Sequence, residues 1–171
     1  MANEIIPTKY LSTVQPLIAK ARELLESGEE LAAMVLVGNF TTGQFVPVPI
    51  DTTSPDERDA AAEDVRRTAS IIDADYVFTI MEAWTLGPEH IKRSDEIIDR
   101  YGSVSASPYK VEVVSFLLET PYGLWVAQPR IKAKGISKKK RTFGDVEFQR
   151  LDEAQGRFAD LLPKEAGGTL H

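Results

Sequence analysis

Residues 74–86 read Ala74-Asp75-Tyr76-Val77-Phe78-Thr79-Ile80-Met81-Glu82-Ala83-Trp84-Thr85-Leu86. Tyr76 to Ile80 are β-branched or aromatic throughout, which suits a pleated, packed surface. Side chains alternate along a strand, so Tyr76, Phe78, Ile80, Glu82 and Trp84 share one face, and Val77, Thr79, Met81, Ala83 and Thr85 the other. Neither face is strongly polar, the pattern of a central strand covered on both sides. Glu82 breaks the pattern, because an unpaired buried carboxylate is costly. Either it lies at the sheet rim, or it has a partner, or it titrates abnormally.

Outward from this strand, the preceding chain supplies helix, strand pair, helix. Leu11, Val14, Leu17, Ile18, Ala21, Leu24 and Leu25 recur at helical spacing and predict a helix over residues 8–27, with Gly28 as its cap. Pro16 either kinks this helix or marks its start. Residues 30–40 read as a strand, 41–44 as a hairpin turn, and 45–50 as a returning strand. Pro47 and Pro49 within it mark a sheet edge, since neither donates to a ladder. Ser54-Pro55-Asp56-Glu57 is a helix start with cap, proline and capping-box glutamate, and the helix should run to Ile72. The carboxylates Asp56, Glu57 and Asp59 fit a solvated first turn facing the helix dipole.

Beyond the central strand, residues 87–102 form a polar connection with a short helix carrying Ile91, Ile97 and Ile98. Residues 103–108 read as a loop and 109–119 as the second good strand. Thr120-Pro121-Tyr122-Gly123 is a turn. Residues 124–131 and 142–151 read as two further strands and 152–162 as a helix. The expected fold is α+β: one mainly antiparallel sheet of about six strands, with two principal helices packed on one face. Residues 1–165 form the expected single domain, and 166–171 a frayed tail.

The order of Glu82-Ala83-Trp84 and Ser107-Pro108-Tyr109-Lys110-Val111-Glu112 resembles that of small uncharacterised bacterial and phage-type α+β proteins. In these, one strand ends in Glu-x-Trp and a later strand opens with proline followed by glutamate. The likeness covers roughly the middle third of the chain. Lys110 and Val111 stand where an arginine is expected just before the second glutamate. The resemblance implies an architecture and brings no activity with it.

Composition excludes several chemistries. The 171 residues include no cysteine, hence no disulfide, thiol nucleophile or zinc-thiolate site. His90 and His171 are the sole histidines, too few for a histidine metal site, and only His90 stands where a triad would need a base. No phosphate-cradling glycine motif appears. Residues 1–7 lack a basic region followed by an apolar run, and no apolar run reaches membrane-spanning length; a soluble cytoplasmic protein without a membrane partner is the expectation. No metal or other cofactor is expected.

The net charge of -6 conceals an asymmetry. Arg130, Lys132, Lys134, Lys138, Lys139, Lys140 and Arg141 gather seven of the 20 basic residues in one segment, so the other 13 face all 26 acidic residues.

Three readings stay open. The leading one is a non-catalytic binding or protein-interaction domain, with self-association as one form. The second is a small acid/base or divalent-metal enzyme built on Glu82 and Glu112 if their strands are neighbours, with His90 as a further candidate and Trp84 and Tyr109 as ligand-binding aromatics. In that setting the two carboxylates serve equally well as a structural pair with Lys110 or Arg93. The third is polyanion binding through residues 130–141, where the absence of an interleaved aromatic argues against nucleic acid.

Overall fold

The computed structural model describes residues 5–51, 53–151 and 161–163. Its elements are helices α1 (Thr8–Glu26), α2 (Pro55–Ile71) and α3 (Ser94–Tyr101). The strands are β1 (Met34–Gly38), β2 (Phe45–Pro49), β3 (Tyr76–Leu86), β4 (Lys110–Thr120), β5 (Gly123–Ala127), β6 (Ile131–Ala133), β7 (Arg141–Phe143) and β8 (Gln149–Leu151). A 3₁₀ turn, Pro88–Arg93, leads into α3.

The main sheet runs β2-β1-β3-β4-β5-β8 and every pair in it is antiparallel; β6 and β7 form a separate hairpin. The α+β class with a six-stranded antiparallel sheet is as the sequence predicts. The stretch quoted above is β3, held centrally between β1 and β4. Its face assignment also holds. Tyr76, Phe78 and Ile80 join Leu36, Val114, Phe116, Leu118 and Trp125 in one buried cluster. Val77 joins Val35 and Val37 in another on the far side.

The sequence reading places both principal helices on one face; the structure puts them on opposite faces of the sheet. α1 buries Tyr10, Val14, Ile18, Ala21 and Leu25 in the Phe78 cluster, whereas α2 buries Ala61, Ala62, Val65 and Ala69 in the Val77 cluster. Connectivity explains the correction. β2 and β3 both pair antiparallel with β1, so they run parallel to each other, and α2 is a crossover between them. Such crossovers have a nearly fixed hand, which commits α2 to one face. The other face is left for α1.

Local chemistry agrees with the elements. α1 continues through Pro16 and ends with Gly28 at φ 89°. α2 starts as read: Ser54 Oγ accepts the Glu57 N–H at 3.1 Å. Gly38 is required by packing, because a Cβ there would stand 2.1 Å from the Tyr76 ring. Two expected strands are each split. The run 124–131 breaks at Gln128 and Pro129 into β5 and β6, and the run 142–151 breaks after Phe143 into β7 and β8. Pro129 has no amide to continue a ladder. Its carbonyl instead accepts Val114 N–H at 3.1 Å, and the chain leaves the main sheet there for the hairpin. The helix expected over residues 152–162 and the tail 166–171 lie outside the described residues, apart from Leu161 and Leu162, which are not helical. No helix among the described residues is long and apolar enough to cross a membrane.

Candidate functional site

The β6–β7 hairpin lies over the α1 face at the end where β3 and β4 carry charge. Alternation puts Arg141 and Phe143 on one side of β7. Phe143 is buried against Phe116, ring centroids 5.6 Å apart. Two residues earlier, Arg141 therefore reaches the same sheet face. There Glu82 and Glu112 are diagonal neighbours, since Glu82 pairs with Val114 and Trp84 with Glu112.

One guanidinium nitrogen serves both carboxylates. Arg141 Nη1 donates to Glu112 Oε1 at 2.8 Å and stands 2.7 Å from Glu82 Oε1. The Glu82 contact is close but off the line of the N–H bonds, so it is ionic, and that buried oxygen receives no directed hydrogen bond among the described residues. Glu82 thus has a partner rather than an open rim. Beside the triad, Lys110 Nζ lies 4.5 Å from the centroid of the half-exposed Trp84 ring.

A second set of contacts fixes the hairpin to α1. Glu26 accepts Lys134 Nζ at 2.7 Å and Thr142 Oγ1 at 2.6 Å. These bonds, Lys134 first and Thr142 next, hold the Glu26 carboxyl below its ordinary range. Arg22 stacks 4.2 Å from the Phe143 centroid and donates to the carbonyls of Phe143 and Gly144. A Cβ on Gly28 would lie 3.6 Å from Lys139, so the loop rests by the carbonyl end of α1, where positive charge is favoured. Between them, Gly28, Glu30, Glu82, Lys138, Lys139 and Arg141 line an open cleft of about 570 Å³.

The remaining sequence candidates divide. His90 and Tyr109 form their own pair, ring centroids 4.4 Å apart, with Glu89 3.6 Å from His90 Nε2. Neither touches the glutamate pair through any contact described here. Arg93 meets Glu96 at 3.4 Å instead of Glu112. Among the described residues, no three histidine, aspartate or glutamate side chains converge as a bound metal would require. Of the seven basic residues, Lys134 and Arg141 are engaged, while Arg130, Lys132, Lys138, Lys139 and Lys140 are exposed without an ion pair among the described residues.

Comparison with protein-family models, with curated proteins and with solved structures returns no match.

Sequence reading missed the part played by two residues. Arg141 is read from the sequence as a polyanion contact, and its bridging of the two glutamates depends on where β7 docks, which no local pattern specifies. Ile136 is fully exposed at the hairpin tip. Its signal was a large aliphatic residue between Gly135 and the lysine run 138–140.

Proposed function

We propose that this protein is a non-catalytic binding domain whose contact element is the β6–β7 hairpin, and that the partner surface is negatively charged. The observation that carries this reading is the position of Arg141 between Glu82 and Glu112. An acid/base dyad works because two like charges close together push their proton affinities apart. Here a guanidinium supplies the compensating charge, and the carboxylates are occupied. The same contact, with Glu26 and Arg22, fixes the base of the hairpin. Lys132, Lys138, Lys139 and Lys140 are then carried on a firm mount, their ammonium groups uncommitted within the described chain.

The test is binding of a labelled soluble polyanion, polyphosphate, across a salt series. The expected result is an affinity that falls steeply with salt. The triple variant K138Q/K139Q/K140Q should lose most of that affinity while keeping its urea midpoint, because none of these ammonium groups is paired among the described residues. A salt-independent affinity, or a triple variant that binds as well as the parent, removes the proposal. So would a measured turnover abolished by Glu82→Gln.

A further inference from the structure

Ile136 is the most exposed large apolar side chain in the described structure, at 105 % of its reference exposure. It follows Gly135, whose φ of 68° sets the turn at the tip. The same hairpin carries Lys132, Lys138, Lys139 and Lys140, all exposed. Isolated exposed apolar residues are ordinary on protein surfaces. This one combines three features: it stands in the turn of a hairpin, the hairpin is anchored at its base, and the charges within residues 130–141 are all positive.

The residue types narrow the partner. Of the five cations in residues 130–141 without an ion pair among the described residues, four are lysines, compact point charges without the planar fork that reads individual phosphates or carboxylates in pairs. Residues 130–141 contain no aromatic side chain on which a base would stack. A diffuse anionic field with an apolar phase just beneath it fits both the lysines and the isoleucine. The acidic remainder of the chain would be repelled by such a field, so the molecule would present the hairpin first.

Building on the binding role given to the hairpin above, we propose that it docks peripherally on an anionic lipid bilayer, with Ile136 inserted among the headgroups and the lysines at the charged surface. A weak apolar anchor and a polybasic patch together give reversible attachment, where either alone would not hold. The sequence expectation of no membrane partner came from the lack of a spanning segment, and peripheral docking needs none.

Flotation of the full-length chain with vesicles tests this. Vesicles of phosphatidylcholine containing phosphatidylserine should carry the protein, and vesicles of phosphatidylcholine alone should not. Ile136→Ser should lower the partition coefficient about tenfold, the scale of one buried aliphatic side chain, with the salt response unchanged. K138Q/K139Q/K140Q should lower it about a hundredfold and flatten the salt response. Ile136 is exposed and the three ammonium groups have no partner among the described residues, and unchanged urea midpoints would verify that both variants fold.

Absence of partition into the phosphatidylserine vesicles overturns the proposal. So does equal partition by Ile136→Ser, which would mean that nothing is inserted. Displacement from vesicles by a single-stranded oligonucleotide at lower phosphate concentration than the lipid also overturns it. Salt-dependent polyphosphate binding without vesicle binding would sink the lipid claim alone. Loss of both would sink the binding role of the hairpin as well.

Discussion

Arg141→Met leaves Glu82 and Glu112 facing each other on adjacent strands with no cation between them. Removing one partner from a fully buried pair costs about 3–5 kcal/mol; with these side chains a quarter to a third exposed, about 1–3 kcal/mol is expected. The triple variant R141M/E82Q/E112Q should recover most of that loss, because no charge is then left unpaired. Urea midpoints of the parent, the single and the triple variant decide this, and a triple no better than the single would refute it. A second residue-scale expectation concerns acid. The Glu26 carboxyl is held below its ordinary value of 4.5 by Lys134 and Thr142, so the folded state favours its charged form. Its contribution is complete above that value and disappears as pH falls through the lower folded value. The midpoint of Glu26→Gln should therefore trail the parent near neutral pH and converge with it in strong acid. A gap that persists at the lowest pH would show that Glu26 acts otherwise. The oddness of Glu82 was legible in the sequence; its partner was not. A carboxylate on an apolar face announces a need, but the residue that meets it lies on another element, whose register no local pattern specifies.

At the scale of elements, periodicity carried most of the information. The α1 stripe, the capped start of α2 and both faces of β3 follow directly from spacing, because each is a local property of the chain. Sidedness is not. A helix stripe states that one face is buried and leaves open which side of the sheet covers it. The α2 side depends on β2 and β3 being parallel across β1, a fact visible only once the sheet order is known. The split strands have a similar origin. Residues 124–131 and 142–151 are strand-like in composition, yet Pro129 and Gly144 let each change sheets, and the hairpin exists because both changes occur. The continuity of α1 through Pro16 reflects tertiary packing: Val14 and Ile18 are buried on either side of an exposed proline, and their burial offsets the missing backbone bond.

At the scale of the whole molecule, the sheet has an edge that is chemically closed. Pro47 and Pro49 stand opposite Leu36 and Met34, and each places its ring nitrogen where an outward amide would be. β2 therefore offers few donors to an incoming strand. The double variant P47T/P49T restores both amides beside the half-exposed Phe45 and should convert the chain to concentration-dependent association, read by light scattering on size-exclusion chromatography. A profile identical to the parent at every concentration would show that the edge is guarded by something else. Charge asymmetry belongs to this scale too and was wholly legible, because composition counts charges without needing a fold. What the composition could not give is that the basic segment is a hairpin anchored at its base. That anchoring has a practical side. Arg22, Glu26, Glu82 and Glu112 grip Lys134 and residues 141–144, so the strongest contacts flank the apex around Ile136 instead of including it. The hairpin is thus a natural port for display: a foreign peptide spliced in at the apex would ride on a support that is already assembled, and loop lengthening costs little.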